Sequence, residues 1–353
     1  MFRALKFRVL EKWTEQLKAA RELGEADVRH AVEQLADERV SAGVKADFLA
    51  ALAQKGETPE EIAAFACALR AKSIQPPLDA QTRSREILDV VGTGGDRLGT
   101  FNISTAAAII CAAAGVTVAK HGNRAVTSQA GSADVLETLG IPTRSTPADA
   151  ARLLRERRFA FFFAPDYHPA FRHISAARKL CAERGQRTIF NLLGPLLNPA
   201  QPSAMLVGVP RPEFCKPMAQ VLQSLGVRRA MVVCGKAPGA GFLDELSPLG
   251  ENTIAEFYQE RALAVSTSTP EEFHLQPATL AELLGGDQNA NAKIIRDIFS
   301  GTERGPKREA VLLNAAAALF VGGKTRSLME GWELAVQTME SGKAKAKLAE
   351  LAG

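Results

Sequence analysis

The first 83 residues carry apolar positions at the three- and four-residue spacing of amphipathic helices, with many Ala, Leu, Glu and Lys. One helix start is well marked, because Thr58 suits the N-cap, Pro59 the first helical position and Glu61 the partner that completes a capping box. The Pro76-Pro77 pair is predicted to stop the last helix. The pattern therefore predicts a small helical domain over residues 1–83.

After residue 84 the pattern changes to short apolar runs that alternate with Ala-rich and Leu-rich helical stretches. The predicted strands are Ile87–Val91, Val116–Ala119, Ala160–Ala164, Ala204–Val209 and Arg229–Val233. Such alternation is typical of an α/β domain with a mainly parallel central sheet covered by helices, here over residues 84–353. A helical patch near residues 168–184 interrupts it and is predicted to pack on the N-terminal bundle. Residues 290–351 are predicted to be helical again.

The composition mainly argues against certain classes of protein and site. The 353 residues are 46% hydrophobic and 23% charged, and a net charge of +4 gives no argument for binding nucleic acid. Five scattered cysteines without C-x-x-C spacing predict neither a zinc site nor a disulfide framework. The basic N-terminus lacks the pattern of a signal peptide, and the apolar run Ala106–Val118 is shorter than the roughly 18 residues of a membrane span. We expect a reduced, cytoplasmic protein.

The strongest candidate site follows the first predicted strand. Gly92-Thr93-Gly94-Gly95-Asp96 is followed by Thr100 and by Asn102-Ile103-Ser104-Thr105, which opens an Ala-rich helix. A glycine turn that leads into a helix N-terminus exposes N–H groups, which phosphate oxygens can approach because no Cβ stands in the way. The spacing fits neither the dinucleotide fingerprint nor a P-loop. The segment predicts a phosphate cradle, and a purely structural turn is the alternative.

A second candidate follows the next strand. Lys120-His121-Gly122-Asn123-Arg124 continues to Ser128 and to Gly131-Ser132-Ala133-Asp134. Two cations, an amide and small hydroxyl residues at a strand end can surround a polyphosphate with charge and hydrogen-bond donors. A solvated surface turn is the alternative here.

A third candidate is the adjacent carboxylate pair Asp244-Glu245, which follows the strand at Arg229–Val233. Two such carboxylates on an irregular segment can reach a hard cation that is already bridged to a diphosphate, which is how Mg²⁺ is usually held. Paired acids are also common on surfaces. The glycine-rich stretch Gly235–Gly241 before the pair predicts a mobile loop.

In order and spacing, these segments resemble those of the anthranilate phosphoribosyltransferase family. The matching strings are Val91–Asp96, Asn102–Thr105, Lys120–Arg124, Gly131–Glu137, Tyr167–Ala170, Arg187–Pro195 with Asn198-Pro199, and Leu243–Glu245. The resemblance spans roughly residues 45–350. It implies a helical domain joined by a hinge to a larger α/β domain of the nucleoside phosphorylase/phosphoribosyltransferase type, and a homodimer formed through the helical part. The implied reaction places ribose 5-phosphate from 5-phosphoribosyl 1-diphosphate on the amine of anthranilate and releases diphosphate, a step of tryptophan biosynthesis.

The resemblance also implies which residues bind. The diphosphate sugar would be held by Gly92, Gly95, Asp96, Thr100, Asn102, Ile103, Ser104, Thr105, Lys120, His121, Gly122, Asn123, Arg124, Ala125, Val126, Thr127, Ser128 and Ser132. Mg²⁺ would be held by Ser104, Asp244 and Glu245. Anthranilate would meet Gly92, Asn123 and Arg178, with His168 close by, and Arg178 can present a planar fork to the carboxylate.

The implied chemistry explains these residue types. Departure of diphosphate leaves an oxocarbenium-like centre, so the enzyme must neutralise charge on the leaving group and hold the amine in line. An aryl amine attacks with its lone pair and loses a proton afterwards, so a strong general base is optional. We therefore assign no catalytic base or nucleophile.

The chain departs from the family pattern beside the expected site. Gln129 and Ala130 stand where a basic and a small hydroxyl residue are usual, Cys234 stands where His is common, and Lys236–Ala240 and Cys181–Gln186 look lengthened. Because these departures lie beside the expected site, they bear on the identity of the acceptor and on the rate more than on the class of reaction. The alternatives are a related transferase with another acceptor, a nucleoside phosphorylase, and a non-catalytic nucleic-acid-binding relative. The acidic pair and the Lys120–Arg124 loop weigh against a nucleoside phosphorylase. The near-neutral net charge weighs against a nucleic-acid-binding protein.

Overall fold

The computed structural model describes residues 9–125, 129–258 and 262–353. The chain forms two compact units. The helical unit combines Met1–Ile74 with Pro165–Leu197, and the α/β unit combines Gln75–Ala164 with Asn198–Gly353.

The helices of the described residues are named in chain order. They are α1 Val9–Lys18, α2 Glu25–Ala36, α3 Ala42–Lys55, α4 Pro59–Arg70, α5 Ala80–Arg83, α6 Ile103–Ala113, α7 Ser132–Thr138, α8 Pro147–Arg157, α9 Ala164–Tyr167, α10 Ser175–Glu183, α11 Phe190–Leu193, α12 Cys215–Ser224, α13 Leu280–Leu283, α14 Gln288–Ser300, α15 Pro306–Val321, α16 Leu328–Glu340 and α17 Lys343–Ala352. Short 3-10 segments lie at Pro169–His173, Gly194–Leu197, Pro212–Phe214 and Pro270–Phe273.

The described residues contain eight strands: β1 Ile87–Gly92, β2 Thr117–Gly122, β3 Phe159–Phe163, β4 Ala204–Gly208, β5 Arg229–Ala237, β6 Gly241–Leu243, β7 Asn252–Tyr258 and β8 Ala264–Ser268. They form one sheet in the order β3-β2-β1-β4-β5-β7-β8, with β6 paired to β5. The strands β3, β2, β1, β4 and β5 are mutually parallel. The strands β6, β7 and β8 are antiparallel to their neighbours.

The predicted fold class is confirmed, and each of the five predicted strands is present. Sequence patterning missed β6, β7 and β8. The expected mobile loop at Gly235–Gly241 is wrong, because β5 runs on to Ala237 and pairs with β6 in a hairpin whose partners include Lys236 and Phe242. The cause is cross-strand pairing with β7, which continues the β5 ladder through Gly235.

The helical unit is held together by buried polar contacts as well as by apolar packing. The predicted capping box is present: Thr58 Oγ1 accepts from the Glu61 amide at 3.2 Å, and Glu61 Oε2 accepts from the Thr58 amide at 3.0 Å. Glu61 also pairs with Lys55 at 2.7 Å, both side chains being buried. The 168–184 segment lies against α3 in this unit, where buried Lys45 donates to the carbonyl of His173 at 2.7 Å.

The compact units differ from the predicted ranges in two places. Residues 165–197 belong to the helical unit, and residues 75–83 belong to the α/β unit. The second difference arises because α5 is capped by Asp79 and bound to the segment before β4: Arg83 donates to the carbonyl of Ala200 at 2.6 Å.

The core of the α/β unit lies between the sheet and the helices α6, α14, α15, α16 and α17. Helix α6 is buried almost throughout. The apolar run Ala106–Val118 is therefore explained by a core helix that is followed by the start of β2. Across the described part of the chain, no helix has both the length and the apolar character that crossing a membrane requires.

Candidate active site

The site is placed by the topology of the parallel strands. Strands β2 and β4 flank β1 on opposite sides, so the order reverses there, and ligands of open α/β sheets bind at the carboxyl ends of strands beside such a switch point. Both β1 and β4 end in glycine, and Gly92 is the register partner of Gly208. The predicted phosphate cradle starts at this edge. Its turn contains Gly94 at φ 74° and Gly95 at φ 92°, a left-handed conformation that favours glycine.

The acidic pair lies on this cradle. Asp244 Oδ2 accepts from the backbone N–H of Gly94 at 2.6 Å. Glu245 Oε1 accepts from the N–H of Ser104, in the first turn of α6, at 3.2 Å. Two segments far apart in sequence are therefore joined at the glycine turn and at the helix N-terminus.

The two carboxyl groups sit in an environment that opposes their ionisation. Both residues keep some exposed surface, but their carboxyl groups are buried more deeply than the residues as a whole. Burial, then the nearby carboxylates of Asp96 and Glu245, raise the pKa of Asp244 well above its usual range. Burial likewise raises the pKa of Glu245 to about 7, and the ammonium of Lys120 opposes that shift. Crowded, desolvated carboxylates of this kind are stabilised by a cation.

The donor set fits Mg²⁺ held together with a substrate. The described residues contain no group of three or more His, Cys, Asp or Glu side chains that could bind a metal without other ligands. Mg²⁺ is commonly bound through one or two carboxylates plus phosphate oxygens and water, so Asp244, Glu245 and the Ser104 hydroxyl match that pattern.

The rest of the cradle lies around the start of α6. Asn102 is bound on both sides, since its amide donates to the carbonyl of Ala130 at 3.4 Å and accepts from Asn291 at 3.0 Å. Thr100 pairs with Leu284 in an isolated bridge, and Ile103 is fully buried. Thr105 Oγ1 is buried, and no hydrogen-bond partner for it occurs among the described residues. Thr105 is fully buried, whereas Asn102 and Ser104 keep exposed surface at the start of α6.

The second predicted loop contributes less free charge than its sequence suggests. Lys120 lies inside the sheet, where Nζ donates to the carbonyl of Val90 at 2.7 Å. The adjacent His121 is buried, and its amide donates to Asp89 at 3.4 Å. Burial raises the pKa of Asp89 to about 6, against the opposing effect of Lys120. The ammonium of Lys120 thus lies in the fields of two buried carboxylates, Asp89 and Glu245.

Arg124 is also paired within the protein. Its guanidinium donates to Asp134 and to Glu137, each at 2.8 Å, and lies 5.7 Å from the ring centroid of Phe163. Asp134 Oδ2 accepts from the amides of Ala125 at 3.0 Å and Gly131 at 2.9 Å. Burial alone would raise the pKa of Asp134, but these hydrogen bonds and Arg124 hold it below its usual value.

The remaining residues of this loop complete its placement. Ser132 Oγ donates to the carbonyl of Asn123 at 3.4 Å, and a Cβ at Gly122 would overlap that hydroxyl oxygen. The predicted contacts Val126, Thr127 and Ser128 lie outside the described residues.

Two of the predicted acceptor residues, His168 and Arg178, lie in the helical unit. His168 is buried, stacks on Phe171 with 5.1 Å between ring centroids, and hydrogen-bonds to the backbone of Leu197. Burial lowers its pKa to about 4. Arg178, in α10, is exposed, and its guanidinium lies 5.1 Å from the ring centroid of Phe190. The ring of Phe190 thus lies against the guanidinium of Arg178.

Comparison with known proteins places this arrangement in a family. A model of the glycosyl transferase family a/b domain matches residues 84–345, and a model of the helical bundle domain of the same family matches residues 11–73. The anthranilate phosphoribosyltransferase of Methanosphaerula palustris is 47% identical over 304 residues, which cover 86% of each chain. That of Petrotoga mobilis is 46% identical over 92% of this chain and 91% of its own. The chain belongs to the anthranilate phosphoribosyltransferase family.

Solved structures of this family agree with the fold. The crystal structure of the anthranilate phosphoribosyltransferase from Thermus thermophilus superposes with a TM-score of 0.87 at 42% identity, covering 96% of this chain and 98% of that one. The anthranilate phosphoribosyltransferase from Saccharomyces cerevisiae in complex with PRPP and Mg superposes with a TM-score of 0.85 at 27% identity, covering 97% and 96%.

The departures from the anthranilate phosphoribosyltransferase pattern lie beside the acidic pair and the second loop. Gln129 is exposed, whereas Ala130 is buried and its carbonyl receives the amide of Asn102. Cys234 is a buried residue of β5 that pairs in register with Thr253, so it packs inside the sheet. The lengthened Lys236–Ala240 segment makes the β5–β6 hairpin.

Sequence patterning missed several residues that shape this site. Gly208 and Gly235 lie against the backbone of the acidic segment. Asn314 of α15 binds the next residue, Leu246, and Asn291 of α14 binds Asn102 of the cradle. One signal was available: an asparagine within the apolar centre of a helix, as at position 314, is costly to bury without partners and so marks a polar contact.

Proposed function

We propose that this protein transfers the 5-phosphoribosyl group from 5-phosphoribosyl 1-diphosphate to the amine of anthranilate, giving N-(5-phosphoribosyl)anthranilate and diphosphate, in tryptophan biosynthesis. The observation that carries the proposal is the contact of Asp244 and Glu245 with the N–H groups of Gly94 and Ser104. An acidic pair and a phosphate cradle meet at one edge of the sheet, as a metal-assisted diphosphate leaving group requires.

The diphosphate end is assigned to the α/β unit. The proposed contacts are the glycine turn at Gly92–Asp96, the α6 N-terminus with Thr100 and Asn102–Thr105, and the loop Lys120–Ser128 with Ser132. Mg²⁺ would be held by Ser104, Asp244 and Glu245, and when bound it would neutralise the charge that develops on the departing diphosphate. The backbone N–H groups add donors that are already in place and need little reorganisation.

The acceptor end is assigned residue by residue. We propose that Arg178 binds the carboxylate of anthranilate, because a guanidinium forms bidentate bonds with a carboxylate and its stacking on Phe190 restricts its orientation. His168 would serve as a neutral, buried neighbour, since its lowered pKa of about 4 keeps the imidazole uncharged near neutral pH. In the α/β unit, Gly92 and Asn123 are the proposed acceptor contacts. No residue is assigned as a base.

The test is a fluorescence assay that follows the consumption of anthranilate with 5-phosphoribosyl 1-diphosphate and Mg²⁺ supplied. Loss of fluorescence that requires all three components is expected, and chelation of Mg²⁺ should stop it. Diphosphate release with another aromatic amine, and none with anthranilate, would keep the reaction class and change the acceptor. Absence of diphosphate release with any amine would remove the proposal.

Two broader assignments accompany this proposal. We propose a homodimer, which light scattering on the purified chain would test. We also propose a cytoplasmic location, which agrees with all five cysteines being free thiols, as expected in a reducing compartment.

A further inference from the structure

We propose that Gly208 and Asn314 are positioning residues that hold the acidic pair on the phosphate cradle from two sides, through the backbone at Asp244 and the backbone at Leu246. The inference rests on the proposed metal role of Asp244 and Glu245, and it explains how an irregular segment keeps two charged side chains at a defined place. Both residues belong to the α/β unit.

On the first side, the acidic segment packs against three glycines at or near the ends of neighbouring strands, where no side chain intervenes. Gly92, Gly208 and Gly235, called here the glycine trough, lie at or near the carboxyl ends of β1, β4 and β5. A Cβ at Gly208 would overlap the carbonyl carbon and oxygen of Asp244 and would stand 3.1 Å from the amide nitrogen of Glu245. A Cβ at Gly92 would overlap the carboxylate of Asp244.

The trough extends under the rest of the segment. A Cβ at Gly235 would stand 2.6 Å from the carbonyl oxygen of Glu245 and 2.6 Å from the amide nitrogen of Ser247. Gly208 does not have a left-handed φ, so close approach of the backbone, and not backbone conformation, is what requires glycine there. The atoms that a new Cβ would meet at Gly208 belong to the backbone, which cannot rotate aside as a side chain does.

The second side comes from α15. Asn314 is fully buried, and its side chain accepts from the amide of Leu246 at 2.9 Å and donates to the carbonyl of Leu246 at 2.9 Å. Its other amide hydrogen goes to the carbonyl of Ala310 at 2.9 Å, which orients the side chain along the helix. Asn314 therefore binds both backbone groups of the residue that follows the acidic pair.

The two sides together locate the carboxylates. The backbone at Asp244 rests on Gly208, and the backbone at Leu246 is bound by Asn314, so the segment cannot slide along the sheet or lift from it without losing one contact. Because the side chains of Asp244 and Glu245 reach Gly94 and Ser104 at 2.6 and 3.2 Å, a shift of the backbone would remove these contacts. A metal site held by ordered surroundings loses affinity when those surroundings are disturbed.

The experiment compares Gly208→Ala and Asn314→Ala in the full-length protein. Mn²⁺ would be titrated in the presence of 5-phosphoribosyl 1-diphosphate and followed by its electron paramagnetic resonance signal. Hydrogen exchange of peptides that contain Leu246 and Ser247 would report the position of the segment without any metal. We expect at least about a tenfold weaker Mn²⁺ affinity in each variant and faster exchange at these amides.

Two controls separate positioning from general damage. Gly43→Ala places a methyl group in open space in α3 of the helical unit, and Met339→Ala removes buried volume from α16 without touching the acidic segment. Both should keep the wild-type Mn²⁺ affinity, although Met339→Ala lowers the urea midpoint. If Gly208→Ala fails to fold, the Mn²⁺ affinity and hydrogen exchange of Asn314→Ala test the positioning role.

The outcomes distinguish this inference from the function on which it rests. Wild-type Mn²⁺ affinity and unchanged exchange in a folded Gly208→Ala or Asn314→Ala variant would overturn the positioning role. A Glu245→Gln variant with wild-type Mn²⁺ affinity would instead overturn the metal role of the pair. Hydrogen exchange at Leu246 and Ser247 would still test whether Gly208 and Asn314 position the segment, because that measurement needs no metal.

Discussion

The backbone N–H of Gly94 donates to Oδ2 of Asp244 at 2.6 Å, across 150 positions of sequence. One backbone N–H of the glycine turn is therefore already bonded to a carboxylate of the same protein. In the proposed reaction a diphosphate would displace or share that contact, and a cation bound by the carboxylate would favour the exchange. The contact joins the acidic pair and the glycine turn in one structural element.

Loss of either carboxylate should abolish turnover and leave the fold intact. In Asp244→Asn and Glu245→Gln we expect the rate to fall by more than about 100-fold, since even residues that only orient metal ligands contribute 10- to 100-fold. Removing one of two crowded acids also relieves their repulsion, so stability without metal should not fall. Initial rates of anthranilate consumption and urea unfolding measure the two effects. Glu251→Gln, an exposed acid near the hairpin, serves as the control. Retained activity in both variants would contradict the assignment.

Asp134 should control the affinity for 5-phosphoribosyl 1-diphosphate through the second loop. It binds the amides of Ala125 and Gly131 and the guanidinium of Arg124. Hydrogen bonds to charged groups contribute about 1.5–3 kcal/mol, so Asp134→Asn is expected to raise the KM for this substrate about tenfold or more. The KM for anthranilate should rise less, because only Asn123 of this loop is proposed to contact the acceptor. Steady-state kinetics with each substrate varied would measure both constants.

An appropriate control for this variant is Asp149→Asn, because Asp149 forms an exposed ion pair with Arg152 in α8. Equal effects of the two substitutions on the KM for 5-phosphoribosyl 1-diphosphate would show that the second loop does not depend on Asp134.

Arg178 should contribute to the binding of the acceptor and not of the diphosphate sugar. Lysine keeps the charge but lacks the planar fork and stacks poorly on Phe190, so Arg178→Lys is expected to raise the KM for anthranilate about tenfold, and Arg178→Ala more. The comparison variant is Lys179→Ala, which removes an exposed cation from the next position of α10. A rise in KM for 5-phosphoribosyl 1-diphosphate alone would place Arg178 at the other substrate.

His168 should make stability depend on pH in the acidic range. Burial lowers its folded-state pKa to about 4 from the ordinary 6.5, so the unfolded chain binds the proton more tightly between these values. Its contribution to stability is present above about pH 6.5 and is lost as the pH falls towards 4. Urea unfolding at pH 7 and 4.5 should show a smaller loss in His168→Gln than in the wild type.

Surface histidine offers the matched comparison for that experiment. His274→Gln removes an exposed imidazole after the Pro270–Phe273 turn, and it should leave the wild-type pH dependence in place. An NMR titration in which the His168 ring protons shift between pH 8 and 5 would contradict the neutral, buried imidazole.

Local sequence signals predicted the parts of this protein that depend on near neighbours. The capping box at Thr58 and Glu61, the five parallel strands, and the glycine turn before α6 all follow from propensity, periodicity and turn chemistry. Their physical basis is short-range, because a cap, a pleat or a left-handed turn is decided by a few adjacent residues. The antiparallel strands β6–β8 were missed because their formation depends on pairing with β5, and exposed β8 has little apolar alternation of its own.

By itself, the sequence determined the fold class, the family resemblance and which residue types could carry diphosphate chemistry. Only the tertiary structure decided how those residues are arranged. It buried Lys120 against the carbonyl of Val90, paired Arg124 with Asp134, and seated Asp244 on Gly208. The reason is that packing, desolvation and ion pairing depend on which chain segments meet in space, and residues separated by 150 positions give no local sign that they touch.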